Sequence, residues 1–301
     1  MNGIIVIDKP EGLSSAQVVG RVKRISKAKR AGHTGTLDPF ATGVLVCCIN
    51  KATRLSRFLV HGQKRYKGVM RLGTRTDTQD FTGRVVSEEP YTTVTSDDVH
   101  GAFRGFLGVT SQKPPAYSAL KHQGVPLYKL ARRGTVVQKA ARPISIYALE
   151  VVDISLPDVR FEVCCSGGTY VRTMCADIGE VLGCGAHLTE LCRTETGGFT
   201  LEEAVSLETL AEVAARGDIS EHVVPMNVAL RDMPCILGDD DLVQKIQMGR
   251  PVTDREVAPV AGEAWPWVQI TDNAGNLVAV MHSNKKNGVF SYACVFPPQD
   301  P

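Results

Sequence analysis

The chain has 301 residues, 43% hydrophobic and 22% charged, with a formal net charge of +2, figures that fit a globular protein of one large domain and a small companion. No apolar run approaches the roughly 18 residues that cross a bilayer, and the nine cysteines include no C-x-x-C pair suited to zinc or redox exchange. The opening Met1-Asn2-Gly3-Ile4-Ile5-Val6-Ile7-Asp8 lacks the basic start and cleavage site of a signal peptide, so the expectation is a cytoplasmic protein with reduced, buried thiols, no metal and no membrane.

The small net charge conceals a segregation. Between Arg21 and Arg75 stand 14 Lys and Arg against one acid, Asp38, and between Gly101 and Arg142 eight more against none. So 22 of the 34 basic residues occupy two stretches with almost no counter-charge. That distribution favours a polyanionic partner, nucleic acid first.

In chain order, the opening residues read as a strand and Asp8-Lys9-Pro10-Glu11-Gly12-Leu13 as a turn. Ser14 or Ser15 then caps an amphipathic helix carrying Val18, Val19, Val22 and Ile25. Gly43 to Ile49 is wholly apolar and reads as a buried strand, Ala52 to Leu59 as helix, and the alternation Tyr66, Gly68, Met70, Leu72 as a strand. A helix begins at Thr95-Ser96-Asp97-Asp98 and runs through Phe106. Ser111 to Arg142 holds Pro114-Pro115 and many bases without a long apolar period, and reads as an extended, mobile excursion. Two strands follow, about 144–154 and 159–165, then a helix from Thr169 to Leu182. After Pro225 the texture changes: Gly238 and Gly249-Arg250-Pro251 punctuate short segments, and Asn273-Ala274-Gly275-Asn276 turns between Trp267–Thr271 and Leu277–Met281. Strands and helices without regular βαβ alternation predict an α+β fold, with one domain over 1–228 and a small, mostly β domain over 229–301.

Asp38 is the one acid in its basic stretch, on a segment with glycines at 32, 35 and 43 and Pro39, too rich in turn formers for regular helix. Surrounding cations favour its ionised form, which suits a nucleophile or base. Local chemistry fits equally a turn aspartate bonded to its own backbone.

The segment Gly32-His33-Thr34-Gly35-Thr36-Leu37-Asp38-Pro39-Phe40-Ala41-Thr42-Gly43-Val44-Leu45 resembles the catalytic-loop signature of the TruB family, the tRNA pseudouridine-55 synthases. The start, Gly3 to Gly12, is similar to that family's opening strand and turn. Lys64-Arg65-Tyr66, Leu72 to Asp80, Gln112 to Lys121, Cys165 to Arg172 and Ala186 to Arg193 resemble its later blocks in the same order. Cys192 departs from the basic residue the family often carries there.

The resemblance implies a pseudouridine synthase catalytic fold with a central mixed, mainly antiparallel sheet and a PUA-like C-terminal RNA-binding domain, for which Gly249-Arg250-Pro251-Val252 is the cue. It implies an isomerase, without cofactor, that breaks the N1–C1′ bond of uridine 55 in the T loop, turns the base and joins C5 to C1′. Asp38 is then the essential carboxylate, with attack on C1′ and removal of a sugar proton both open to it. Tyr66 stacks on the uracil and helps move the C5 proton, with Lys64 and Arg65 beside it. Arg172 pairs with Asp38, Tyr170 and Leu191 wall the base pocket, and His33 fills the gap left by the flipped base. Arg132 and Arg133, in a 111–142 insertion that grips RNA, close on phosphates, with Tyr117 and Tyr128 as ordering or stacking residues. The expected partner is the T arm of tRNA, met by a monomer. Two rival readings are a tRNA-folding protein whose isomerase activity is secondary and a guide-directed enzyme of ribosomal RNA.

Overall fold

The computed structural model describes residues 1–257, 267–284 and 288–297. β1 (Gly3–Lys9) is buried on both sides except at Asp8. Its alternation puts Ile4 and Val6 in one core and Ile5 and Ile7 in another. α1 (Ser15–Ile25) is capped by Ser14, whose hydroxyl accepts from the Gln17 N–H while the Gln17 side chain returns to the Ser14 N–H. Ser15, the other candidate cap, is instead buried against the loop that carries Asp38. β2 (Ala31–His33) and β3 (Thr42–Ile49) flank that loop. The predicted helix after β3 is split into a 3-10 turn, Asn50–Leu55, and α2 (Ser56–Leu59). β4 (Lys64–Leu72) follows, then the ribbon of β5 (Thr74–Thr76) and β6 (Val85–Glu88), then α3 (Ser96–Arg104) under a Thr95 capping box.

The basic excursion is more structured than its sequence suggests. β7 (Gly108–Gln112) leads to a small hairpin, β8 (Lys121–His122) with β9 (Val125–Pro126), and to α4 (Leu127–Ala131). Leu127 and Ala131 are buried, and the Leu127 and Tyr128 N–H groups donate to Leu120 and Ser118 carbonyls. One i, i+4 apolar pair anchors a helix this short and leaves no period to read.

β10 (Arg142–Ser155), β11 (Asp158–Cys165), α5 (Val171–Val181), β12 (Ala186–Thr196), β13 (Phe199–Thr200), α6 (Leu207–Arg216) and α7 (Met226–Ala229) complete the larger layer. Its nine described strands include the path β1-β3-β12-β4-β11-β10-β7. β12 runs parallel to β3 and antiparallel to β4, and the other pairs are antiparallel. The fold is α+β with a mixed, mainly antiparallel central sheet, as predicted. Phe103 of α3 meets Phe161 of β11 edge to face, centroids 5.9 Å apart, in the core under this sheet.

β14 (Cys235–Leu237), α8 (Asp240–Gln247), β15 (Val252–Thr253), α9 (Asp254–Val257), β16 (Trp267–Thr271), β17 (Leu277–Asn284) and β18 (Val289–Val295) form the second unit, a five-stranded sheet ordered β14-β16-β17-β18-β15. It shares a core with the first: Leu277, Val280, Cys294 and Phe296 cluster with Ile4, Val46, Ala52 and Leu55. Arg54 and Arg57 donate to the Val295 and Ala293 carbonyls at 2.6 and 2.5 Å, and the Arg54 guanidinium lies over the Phe296 ring. Three bases of the first cationic stretch, Lys51, Arg54 and Arg57, thus hold carbonyls of the second sheet or its exit. Among the described residues no helix is long and apolar enough to cross a membrane. Cys47, Cys48, Cys164 and Cys165 are free thiols in the interior, with burial pushing Cys48 up to about 12 and Cys165 up to about 11.

Candidate active site

Residues 34–41 form an irregular loop whose backbone is held from three sides. Ser15 Oγ accepts from the Leu37 N–H at 2.8 Å and lies 3.0 Å from the Leu37 carbonyl. From the β1 turn, Lys9 Nζ and the Gly12 N–H donate to the Pro39 carbonyl at 3.1 and 2.8 Å. On β12, Arg193 donates to Gly35 O at 3.0 Å and Val44 O at 2.8 Å, on either side of the loop. Gly43 has φ +94°, and a Cβ there would stand 2.3 Å from the Arg193 carbonyl, so only glycine allows the close parallel approach of β3 and β12.

The result is a fixed Asp38. Its carboxylate receives two bonds from Arg172, Nε to Oδ2 at 2.8 Å and Nη2 to Oδ1 at 3.3 Å. This forked pairing sets the carboxylate plane as well as its position. Arg172 lies in the first turn of α5 and is only 3% exposed. It also donates to the Thr78 carbonyl, and to the Tyr117 carbonyl at 2.8 Å. A second carboxylate, buried Asp80, lies 3.6 Å from its Nε. Asp80 Oδ1 accepts from Thr78 Oγ1 at 2.8 Å, the Thr82 N–H at 3.0 Å and Thr82 Oγ1 at 2.5 Å. One cation therefore ties three separate chain segments to Asp38.

A cavity of about 340 Å³ opens on this pair. Its walls bring together Asp38, Tyr66, Arg172, Tyr170, Leu191 and Lys64, six of the nine site residues named from sequence. Tyr66 is buried on β4; burial raises its phenol pKa, and the Arg193 charge opposes that rise. Lys64 Nζ donates to the Val60 and Gly62 carbonyls at 3.0 Å each, and burial brings it down to about 8. Gln112 on β7 grips the Tyr170 backbone, donating to its carbonyl at 3.0 Å and accepting from its N–H at 2.8 Å. The Arg142 guanidinium covers the Tyr170 ring at 5.2 Å.

The other three lie outside the cavity walls. His33 is at the end of β2, and its buried Nδ1 has no hydrogen-bond partner. Burial, aided by the Arg193 charge, lowers its pKa and favours the neutral ring. Arg132 and Arg133 are exposed at the end of α4, with Arg132 over the Tyr128 ring at 5.6 Å. Sequence reading missed Arg193, Asp80, Lys9, Ser15 and Gln112 as site-builders. Arg193 had one signal: it stands two residues beyond Leu191, hence on the same face of a strand. Among the described residues no three His, Cys, Asp or Glu side chains converge as a metal-ligand set.

Residues 23–171 match the family described as TruB family pseudouridylate synthase (N terminal domain), and residues 172–231 match the tRNA pseudouridylate synthase B C-terminal domain. The chain belongs to the TruB family. It is 45% identical to the tRNA pseudouridine synthase B of Geobacter sulfurreducens over 88% of each chain. With that of Burkholderia mallei it shares 43% identity over 95% of this chain and 94% of the relative. The fold is similar to a chain in the crystal structure of a Cbf5–Nop10–Gar1 complex (TM-score 0.77, 28% identity, 98% of this chain and 85% of that one). It is also similar to one in the structure of an H/ACA RNP bound to a substrate RNA containing 2′-deoxyuridine (TM-score 0.75, 26% identity, 99% and 86%). Asp38, Tyr66 and Arg172, which the family resemblance singled out, stand on a loop, a strand and a helix and share one cavity.

Proposed function

We propose that the chain isomerises a uridine of tRNA to pseudouridine, at position 55 of the T loop, with Asp38 as its essential carboxylate. The observation that carries this reading is the forked Arg172–Asp38 pair at the wall of a cavity of about 340 Å³, room enough for a flipped base. A stacked uridine keeps C1′ and C5 away from any protein carboxylate, so the target must leave the helix. His33, neutral and next to the catalytic loop, fills the space that base vacates. In the cavity Tyr66 and Tyr170 offer ring faces and Leu191 an apolar wall, against which the freed base can turn without leaving. Asp38, held by Arg172, acts on the sugar as N1–C1′ breaks, and C5 then joins C1′.

The RNA backbone is held by cations outside the cavity, Arg132 and Arg133 on the insertion among them, which act on phosphates and set affinity. The second sheet, within the 229–301 unit, serves as a PUA-like RNA-binding domain, and the protein works as a monomer on the T arm. Relatives named for tRNA share 43–45% identity with the chain, against 26–28% for the ribonucleoprotein chains, which supports the tRNA substrate over a guide-directed one. The test is incubation of the pure protein with an unmodified tRNA transcript and mapping of pseudouridine. Conversion at position 55 is the expected result. No conversion at excess protein would sink the reading.

A further inference from the structure

Arg193 is unexpected for an interior residue. It is 1% exposed and among the largest fully buried side chains. Its two bonds to main-chain carbonyls, at Gly35 and Val44, leave the positive charge without a carboxylate partner among the described residues. A lone buried charge is costly unless the site uses it. Arg193 also stands directly opposite Tyr66 in the register of β12 with β4, and both side chains line the Asp38 cavity.

We propose that Arg193 is the positioning residue for Tyr66, fixing the direction of its hydroxyl and stabilising its phenolate so that Tyr66 accepts the C5 proton. This rests on the pseudouridine reading above. Across this strand pair the guanidinium charge acts on the Tyr66 phenol, favouring its ionised form against the opposing effect of burial. A guanidinium only donates, so in the proposed pairing the phenol oxygen accepts and any proton it carries points away from Arg193. The other groups facing Tyr66 cannot do this. Cys165 is a thiol held neutral by burial, and Asp38 carries the wrong sign. Lys64 gives its ammonium to the Val60 and Gly62 carbonyls, and Arg172 is committed to Asp38, Thr78 and Tyr117.

The step balances. Once C5 has joined C1′, C5 carries both the sugar and its original hydrogen, and C6 is double-bonded to N1. The phenolate takes that hydrogen as a proton, and the C5–H electron pair becomes the C5–C6 double bond. The displaced C6–N1 pair returns to N1, which gains a proton, and the phenol releases its own to water. Uridine has then lost one proton at C5 and gained one at N1.

Single-turnover conversion of a tRNA transcript with deuterium at uridine C5 tests this, across pH, for the unaltered protein, Arg193→Gln and Arg193→Lys. Arg193→Gln should bind RNA normally yet react roughly 10²–10³-fold more slowly, the usual loss for one preorganised donor. Its ascending pH limb should move to higher pH, its C5 isotope effect should grow, and Arg193→Lys should recover much of the rate. A slow Arg193→Gln with an unmoved pH limb and isotope effect would make Arg193 a loop clamp only, and overturn the proposal. If the unaltered protein forms no pseudouridine, the functional reading falls first and takes this one with it. Should Arg193→Gln fail to fold, 3-fluorotyrosine at position 66 in the otherwise intact chain decides instead. Its more acidic phenol should bring the ascending limb to lower pH, and a fixed limb overturns the proposal.

Discussion

Arg172 carries one charge between two carboxylates, and each has a different claim on it. Asp38 takes the forked bonds and keeps its side chain one-third exposed to the cavity, while Asp80 is nearly enclosed and shares its oxygens with Thr78 and Thr82. Removing the cation therefore harms fold and chemistry together. Arg172→Gln should lower stability by about 3–5 kcal/mol in urea unfolding, because it leaves Asp80 buried without its counter-charge. Asp80→Asn in the same chain should recover part of that loss. Asp38→Asn is the cleaner functional change: turnover should vanish while tRNA affinity stays within a few fold, and surviving turnover would remove Asp38 from the mechanism. The buried lysines give a pH signature. Lys9 and Lys64 are both brought from 10.5 to about 8 by burial. Between about pH 8 and 10.5 these two side chains hold protons in the unfolded chain that the folded one has released, so their contribution to stability rises with pH through that window. Buried thiols such as Cys48 and Cys165 contribute with the opposite sign above about pH 9. The urea-derived stability of the unaltered protein minus that of Lys64→Met should therefore rise with pH through the window, since the thiols are common to both.

At the scale of elements, the loop between β2 and β3 is rigid because β1, α1 and β12 each supply a side chain to its backbone. Gly43 is where this is most fragile. Gly43→Ala forces a side chain into positive φ, at a cost of about 1–3 kcal/mol, and against the Arg193 carbonyl as well. It should lower stability by more than that range alone and cut turnover, whereas Ser14→Ala should cost about 1 kcal/mol of capping and leave turnover unchanged. Thermal unfolding and the transcript assay compare the two. Elements were legible where one period ran long enough: the 3.6-residue spacing of Val18 and Val22 and the alternation from Tyr66 to Leu72 gave α1 and β4. The α4 turn, anchored by Leu127 and Ala131 alone, and the broken helix after β3 were not, because their form is set by neighbours rather than by a local pattern.

Across the whole molecule the segregated charge turns out to have several destinations. Arg65, Lys67, Arg71 and Arg75 meet Glu195, Glu162, Asp158 and Glu180, acids far away in sequence, and Arg54 and Arg57 tie the 3-10 turn and α2 to the second sheet. Exposed cations without an acidic partner among the described residues remain along α1 and its exit, from Arg21 to Arg30, and at Arg132 and Arg133. The salt dependence of tRNA binding separates these classes. Neutralising Arg132, Arg133 and Lys139 should weaken binding and flatten the log-log salt slope by roughly 0.7–0.9 per lost phosphate contact. Neutralising Arg71, already paired with Asp158, should leave the slope unchanged.

The sequence by itself determined the α+β class and the change of texture after Pro225, and it singled out Asp38 as the candidate, because a turn-rich loop with one acid among bases is a local pattern and its resemblance is carried by contiguous residues. Tertiary structure alone decided which cations meet acids, how the Asp38 loop is clamped, and that Arg193 faces Tyr66. Each of those depends on residues far apart in the chain, among them Arg193 with Gly35, 158 positions apart, and Arg54 with Val295, 241 apart, and no local spacing encodes a distance of that kind.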